Sequence, residues 1–196
     1  MAMTTEQWLT QGIDTAWRIL LVWWLWSAWG NKTAARGEPW LTRLAFYWLP
    51  LAVAFVLLGP GEWYGHTWLR EGIVPHTVPF FAIAFVLVVT GVALAIWSRV
   101  LLGRNWSSVV QIKHDHVLIE AGPYRYVRHP IYTGILLAFI GTAVKVGDVR
   151  GIFAVLIVFA SFWRKLRMEE RMLGETFGEA YSAYKRRTRA LIPGLL

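Results

Sequence analysis

The chain has 196 residues; 56% of them are hydrophobic, 16% are charged and 13 are tryptophan. Soluble domains usually contain about 25% charged residues, and tryptophan is favoured where membrane hydrocarbon meets the lipid headgroups. This composition excludes a disordered chain, a coiled coil and a polar nucleic-acid-binding module, and it predicts an integral membrane protein. Cysteine is absent, so disulfides, cysteine-ligated zinc and a thiol nucleophile are also excluded.

Five apolar stretches follow one another along the chain. We predict that each forms a transmembrane segment: residues 13–29, 41–58, 78–97, 131–146 and 151–163. The third stretch has roughly 20 residues without a charge, enough to cross about 30 Å of hydrocarbon. The last two are short and are joined by a tight charged turn, so we expect a helical hairpin that either crosses the membrane or dips into it.

The basic residues are unevenly distributed between the loops. Lysine and arginine outnumber aspartate and glutamate by 20 to 12, and they concentrate after the first span, between the third and fourth spans, and after the fifth. Cytoplasmic loops have such an excess. We therefore expect a multi-pass protein with its N-terminus outside and these three segments in the cytoplasm, where their charge meets anionic lipid rather than DNA.

The polar linker before the fourth apolar stretch ends in His129-Pro130. Proline suits the first turn of a helix, where free N–H groups and the helix dipole favour an anion. One interpretation is therefore a ligand site. The other is a helix cap at the membrane surface, with Arg125 and Arg128 bound to lipid phosphate.

The polar tail after the fifth stretch begins as a continuation of its helix. Lys165 and Glu169 are four residues apart and so share a face. They form either an exposed ion pair of little energetic value or a functional pair that faces the interior of the bundle. Farther on, Phe177, Tyr181 and Tyr184 recur at helical spacing and predict a C-terminal amphipathic helix, packed on the linker or lying on the membrane surface.

At this point a family resemblance becomes visible. Residues 122–134, which read GPYRYVRHPIYTG, together with Glu169-Glu170 and residues 177–184, closely resemble the isoprenylcysteine carboxyl methyltransferase family. The segment 105–107 is similar as well. The resemblance extends from about Leu87 to the C-terminus, and the superfamily also resembles phospholipid N-methyltransferases and, more distantly, sterol reductases.

This resemblance implies S-adenosylmethionine as the cofactor. We expect one integral-membrane domain, 1–196, with two N-terminal spans and loops in 1–77 and a methyltransferase core in 78–196. The linker and the C-terminal amphipathic helix would form the cofactor pocket. The cofactor-binding residues that it implies are Gln111, His116, Val117, Leu118, Ile119, Tyr124, His129, Pro130, Tyr132 and Glu170.

The catalytic residues that the resemblance implies are Lys165, Glu169, Arg128 and Arg167. Lys165 and Glu169 would face the reacting end of the acceptor. The family usually has arginine at position 165, and lysine supplies charge without the bidentate geometry of a guanidinium. Arg128 and Arg167 are therefore the alternative residues for holding an acceptor carboxylate.

A carboxylate is ionised near neutral pH, so its methylation needs desolvation, alignment and a holding cation rather than a strong base. We expect carboxyl O-methylation of a prenylated cysteine or similar lipid-like acceptor that enters from the bilayer, with the active site facing the cytoplasm. The alternatives are N-methylation of a phospholipid amine with Glu169 or Glu170 as proton acceptor, NADPH-dependent reduction of a lipid or sterol, and a transporter or scaffold subunit. Membrane lipids are expected partners, and nucleic acid is not. A metal is not expected either, because His114 and His116 have too few further ligands nearby.

Overall fold

The computed structural model describes residues 2–28, 39–103 and 118–194, and every structural statement below concerns these residues. The regular elements are helices, with short 3-10 turns in the loops: α1 (Thr5–Ala28), α2 (Trp40–Leu57), α3 (Val78–Leu102), α4 (Pro130–Val146), α5 (Val149–Phe177) and α6 (Glu179–Arg187). Strand pairing within the described ranges is limited to isolated single-residue bridges. The predicted all-helical class is confirmed.

The surfaces of α2 and α3 are those of membrane helices. Both are long and apolar enough to cross a bilayer, yet only 11% of the α2 window and 28% of the α3 window is buried inside the protein. Large side chains such as Trp48, Val56 and Val86 face outward, and soluble proteins rarely expose apolar surface on this scale. Hydrocarbon is the solvent that such helices need. α4 is apolar but shorter, and the number of five crossings stays a prediction.

The crossing of α3 with α4 is the most extensive helix contact. A Cβ atom added to Gly91 would lie 2.4 Å from the carbonyl oxygen of Gly134, and one added to Gly134 would lie 2.5 Å from the carbonyl oxygen of Gly91. Farther along, a Cβ on Gly141 would lie 2.7 Å from the Ala84 carbonyl oxygen. Small residues at these positions let the two backbones touch, as in many membrane helix pairs. The crossing fixes the start of α4 beside the end of α3.

The turn between α4 and α5 is covered by the loop that precedes α3. Backbone hydrogen bonds of 2.7–3.0 Å join residues 71–74 to residues 147–149. Arg150 is buried there, and its guanidinium donates to the Asp148 carboxylate at 2.9 Å and to two carbonyl groups at the end of α2. This end of the bundle is closed by contacts within the protein.

At the other end of the bundle, the C-terminal segment returns to the start of α4. Val127 and Arg189 form a parallel bridge. The Arg128 N–H donates to the Arg189 carbonyl at 2.8 Å, and the His129 N–H donates to the Ala190 carbonyl at 3.0 Å. α5 continues to Phe177, well past the apolar stretch that ends at residue 163. The end of α5, and α6 after it, therefore lie near the start of α4.

Candidate active site

The candidate site forms where the start of α4 meets the extension of α5. His129 directly precedes α4, and Pro130 occupies the first helical position, where its missing N–H leaves no helical hydrogen bond unmade. Both residues are buried, and the imidazole stacks on the Tyr132 ring with centroids 5.5 Å apart and planes inclined by 10°. The predicted helix start is confirmed, and its histidine faces the protein interior.

Two consecutive glutamates of α5 lie against this histidine. Oε2 of Glu169 is 3.4 Å from Nδ1 of His129, and Oε1 of Glu170 is 3.5 Å from Nε2. Both distances exceed those of ordinary hydrogen bonds, and Nε2 is buried without a hydrogen-bond partner among the described residues. Glu169 also accepts a 2.5 Å hydrogen bond from the Tyr132 hydroxyl. The imidazole therefore lies between two carboxylates.

The two glutamates differ in their other partners. Nε of Arg128 donates to Oε1 of Glu170 at 2.7 Å, and Nζ of Lys185 in α6 lies 3.1 Å from Oε2. Arg128 also donates to the Thr188 carbonyl at 2.6 Å. The Glu170 side chain is 10% exposed and that of Glu169 is 24% exposed. Glu170 is thus held by cations from two elements, whereas Glu169 is the more open carboxylate.

Charge and burial together shift the pKa of all three residues. Burial lowers the pKa of His129, but the carboxylates of Glu169 and Glu170 outweigh burial and raise it above its ordinary value of 6.5. Burial raises the pKa of Glu169, but the contact with His129 and the charge of Lys165 outweigh it and lower the value. For Glu170 the opposing effects of burial, His129 and Arg128 lower the pKa to about 2. The ionised forms of both carboxylates are therefore stabilised, and the carboxylates in turn stabilise the protonated form of the imidazole.

Lys165 lies one helical turn before Glu169. Its Nζ atom is 5.3 Å from the ring centroid of Tyr47 and 5.5 Å from that of Tyr132, which is within the range of cation–π attraction. The ammonium makes no salt bridge to a described residue. It is a cation held by aromatic rings rather than neutralised by an ion pair.

The predicted site residues do not all come together. The cluster contains Arg128, His129, Pro130, Tyr132, Lys165, Glu169 and Glu170. Arg167 is exposed and packs over the Trp163 ring at 5.2 Å, outside this cluster. Leu118 and Ile119 are half-buried in irregular structure. Gln111, His116 and Val117 lie outside the described residues.

Tyr124 lies behind the cluster and joins three elements. Its hydroxyl donates to the Ser98 carbonyl at the end of α3 at 3.3 Å, and its own carbonyl accepts a 2.6 Å hydrogen bond from the Tyr184 hydroxyl of α6. Burial, together with the nearby Glu169 carboxylate, raises the pKa of Tyr124 far above its ordinary value. The predicted amphipathic helix is therefore present and packs on the linker.

An open pocket lies beside the cluster. It has a volume of about 380 Å³, and the described residues that line it are Glu120, Arg125, Tyr184 and Arg187. Arg187 forms an ion pair with Glu120 across it. The volume lies within the range of about 300–1,000 Å³ that is typical of small-molecule pockets, and Tyr184 connects the pocket to Tyr124.

Three residues of the site were not predicted as members of it: Tyr47, Lys185 and Tyr181. The Tyr181 side chain is buried, and its hydroxyl has no hydrogen-bond partner among the described residues. A sequence signal for Lys185 exists, because the last turn of α6 is basic and Glu169-Glu170 offers it a carboxylate partner. Tyr47 gives no such signal, since it comes from an apolar span far away in the sequence.

Comparison with known families places these residues in a context. A family model described as phospholipid methyltransferase matches residues 80–180, which is more than half of the chain and includes the whole stretch from His129 to Glu170. The chain belongs to the phospholipid methyltransferase family. Tyr47 and Lys185 lie outside the residues that define this family match.

Several relatives are similar to part of the chain. A protein-S-isoprenylcysteine O-methyltransferase of Schizosaccharomyces pombe is 33% identical over 94 residues, 46% of this chain and 40% of that protein. A probable enzyme of the same name in Oryza sativa subsp. japonica is 30% identical over 57% of this chain and 60% of its own length. The cobalt-zinc-cadmium resistance protein CzcN of Cupriavidus metallidurans is 28% identical over 73% of this chain and 59% of its own length. The chain thus spans about half the length of the relatives that it matches.

A solved structure shares the fold. The eukaryotic intramembrane Ras methyltransferase ICMT (isoprenylcysteine carboxyl methyltransferase) superposes with a TM-score of 0.58 at 23% sequence identity, over 76% of this chain and 52% of that one. The helical arrangement described above is therefore shared with that structure.

Proposed function

We propose that this protein is a membrane methyltransferase that uses S-adenosylmethionine to esterify the carboxylate of a prenylated cysteine or a similar lipid-like acceptor. The family membership, the isoprenylcysteine methyltransferase relatives and the shared fold support this proposal. Between a carboxylate and a phospholipid amine as the acceptor, the positive charge of Lys165 favours the carboxylate.

The decisive observation is the ammonium of Lys165. Four basic side chains surround two carboxylates, and three of the four are in contact with those carboxylates; the four are Arg128, His129, Lys165 and Lys185. Lys165 alone among them stands between aromatic rings without an ion pair to a described residue. A cation without such an ion pair, beside apolar helices, attracts an anionic headgroup and repels a protonated amine.

The cofactor fits the residues that are present. S-adenosylmethionine, when bound, supplies a positively charged sulfonium and a transferable methyl group. Glu169 is the partly exposed carboxylate that can lie near a cation, and the buried Nε2 of His129 and hydroxyl of Tyr181 are polar atoms that lack hydrogen-bond partners among the described residues. We assign cofactor binding to the linker and to His129, Tyr132 and Glu169.

In this mechanism the protein aligns and desolvates the acceptor. Lys165 holds one carboxylate oxygen of the acceptor, while the neighbouring apolar side chains remove water from the other. No general base is required, because the acceptor carboxylate is already ionised near neutral pH. Alignment of this kind is worth several kcal/mol of activation free energy. Glu169 would supply a negative charge next to the cationic cofactor, and Arg128 and Lys185 hold the neighbouring Glu170 in place.

The topology follows from the same assignment. We propose five crossings by α1 to α5, with the linker, the end of α5 and α6 at the cytoplasmic face. The acceptor enters sideways from the bilayer, and the cofactor enters from water. The basic residues 185–187 and 189 at this end support the orientation.

A phospholipid amine N-methyltransferase is the second candidate function. The name of the matching family model favours it, and Glu169, the more open carboxylate, is placed to accept the proton that an amine must lose. The Lys165 charge opposes it, because a protonated amine would have to approach an ammonium.

Product chemistry separates the two candidates. Purified protein in lipid nanodiscs is incubated with S-adenosylmethionine labelled in the methyl group and with either N-acetyl-S-farnesylcysteine or phosphatidylethanolamine. We expect label that is released by mild base, as from a methyl ester, with the farnesyl acceptor only. Base-stable label in phosphatidylethanolamine would instead support N-methylation and contradict the proposal.

Two variants at position 165 sharpen this test. Lys165→Met is expected to raise the acceptor KM by about tenfold, the size of a lost charge contact of roughly 1.4 kcal/mol, whereas Lys165→Arg retains activity because it restores the cation. S-adenosylhomocysteine is expected to stabilise the wild type and both variants against heat, since a ligand that binds only the folded state raises its stability. Stabilisation by NADPH and not by S-adenosylhomocysteine would contradict methyl transfer altogether.

A further inference from the structure

A short π-helical turn interrupts α2 at Leu44–Trp48. Pro50 follows two residues later; it has no N–H to offer the carbonyl of Phe46, and its ring crowds that carbonyl. The Ser161 hydroxyl of α5 donates to the freed Phe46 oxygen at 2.6 Å. The proline thus leaves the Phe46 carbonyl without its helical partner, and the serine fixes the turn to α5. π-turns within α-helices are frequent at functional sites.

The turn presents Tyr47 to one face of α5. Its hydroxyl accepts a 3.2 Å hydrogen bond from Nη1 of Arg164 and donates to Sδ of Met168 at 3.6 Å. Ser161, Arg164, Lys165 and Met168 are spaced i, i+3, i+4 and i+7, so they lie on the same face of the helix. Tyr47 is thereby held at its hydroxyl by two residues of α5, with the lysine between them in sequence.

The Tyr47 ring faces the ammonium of Lys165 at 5.3 Å. A lysine side chain has four flexible carbon–carbon bonds and can place its charge over a wide region. With Tyr47 on one side and Tyr132 at 5.5 Å on the other, the charge is confined beside Glu169. An arginine at this position would bring the fixed planar geometry of a guanidinium, which lysine lacks.

We infer that Tyr47 is a positioning residue for the acceptor: it confines the Lys165 ammonium at the place where the acceptor anion binds. This inference rests on the proposed function and extends the site to α2, outside the residues 80–180 of the family match. The π-turn of α2 thus supplies the orientation that lysine by itself does not have.

The test separates acceptor binding from chemistry and from cofactor binding. Tyr47→Leu is expected to raise the KM for N-acetyl-S-farnesylcysteine five- to tenfold, with kcat and the affinity for S-adenosylhomocysteine changed by less than twofold. Tyr47→Phe keeps the ring and loses the two hydroxyl contacts, so a rise of only two- to threefold is expected. Trp48→Leu, at the neighbouring outward-facing position of the same turn, is the matched control and should leave all three constants unchanged.

A merely structural role gives a different pattern. If Tyr47→Leu changes kcat or cofactor affinity as much as the acceptor KM, or changes none of them, the inference is overturned. Combining Tyr47→Leu with Lys165→Arg provides a rescue test: the guanidinium should bring the acceptor KM back to within twofold of the value for Lys165→Arg alone. Failure of this rescue also counts against the inference.

A spectroscopic measurement keeps this inference distinct from the proposed function. After reductive methylation with ¹³C-formaldehyde, the dimethyl-lysine signal of Lys165, assigned by its absence in Lys165→Arg, is expected upfield of the exposed lysines because two aromatic rings face it. In Tyr47→Leu the signal should move toward the exposed lysines; an unchanged signal overturns the inference. If the wild type esterifies no carboxylate acceptor, the proposed function fails, and this signal still decides whether Tyr47 positions Lys165.

Discussion

The two ends of the helical bundle both bury charged side chains, but they treat the charge differently. Near the turn between α4 and α5, Arg150 is 4% exposed, pairs with Asp148, donates to two backbone carbonyls and packs over the Tyr64 ring at 5.1 Å. At the opposite end, Glu169 is partly exposed, and Lys165 has aromatic neighbours in place of an ion pair with a described residue.

This difference distinguishes a structural charge network from one that is available to a ligand. Buried polar groups are normally hydrogen-bonded, and an exception calls for an explanation such as a catalytic role or a bound partner. The guanidinium of Arg150 is used by contacts within the protein. The Nε2 atom of His129 and the hydroxyl of Tyr181 are such exceptions among the described residues, and both lie at the end of the bundle that we propose is cytoplasmic.

The largest expected effect tests the end of the bundle that holds Glu169 and Lys165. Glu169→Gln keeps the size of the side chain and an oxygen for the Tyr132 hydroxyl, but it removes the charge opposite the cofactor. We expect methyl transfer to fall at least 100-fold, about 3 kcal/mol of activation free energy, with a thermal midpoint close to that of the wild type. Radiometric transfer and thermal unfolding in the same preparation measure both. Near-normal turnover would remove Glu169 from the reaction.

The matched substitution at the closed end should have the opposite profile. Asp148→Ala leaves the Arg150 guanidinium buried without its carboxylate, and loss of one partner of a buried pair costs about 3–5 kcal/mol. We expect a lowered unfolding midpoint, while the folded fraction keeps its acceptor and cofactor constants. A specific loss of transfer at full stability would contradict the division between the two ends.

The smallest expected effect concerns pH. The raised pKa of His129 means that its contribution to stability is complete below its ordinary value of 6.5 and is lost as the pH rises through the folded-state value. The depressed pKa of Glu170 means that its contribution is present above 4.5 and is lost as the pH falls toward about 2.

We therefore expect the thermal midpoint to decline on the alkaline side, by about 2–4 °C for each kcal/mol in a chain of this size. Measuring the midpoint from pH 5 to pH 9 tests this expectation. His129→Gln, which does not titrate, should remove the alkaline decline, and a decline that persists in this variant would assign it to another group.

Much of the fold follows from apolar content and its borders. The stretch 41–58 corresponds to α2, and 78–97 corresponds to α3, whose helix continues to Leu102. The added turn includes Arg99, whose guanidinium donates to the Gly103 carbonyl and to the Ser27 carbonyl at the end of α1. A polar side chain with partners extends a helix beyond its apolar part, and hydropathy alone places the boundary too early.

The candidate site was predicted in part. The motif around His129-Pro130 and the pair Glu169-Glu170 mark two stretches that the structure brings together. The sequence places Glu169 on the face of Lys165 and separates it from Glu170, but it does not show that Glu170 is held by both Arg128 and Lys185. Arg167 looked as suitable as Arg128, but the helix turns it toward Trp163 and the surface.

The order of residues by itself determines that the protein is apolar and helical, that its polar residues concentrate in two stretches, and that one of them begins a helix with His129-Pro130. These properties follow from local composition and from the requirements of the backbone in hydrocarbon. Only the tertiary structure decides that Tyr47 faces Lys165, 118 residues later in the chain, and that the end of α6 neutralises Glu170. Such contacts depend on how helices cross and on where the π-turn lies in α2. No local pattern determines which face of one helix meets which face of another.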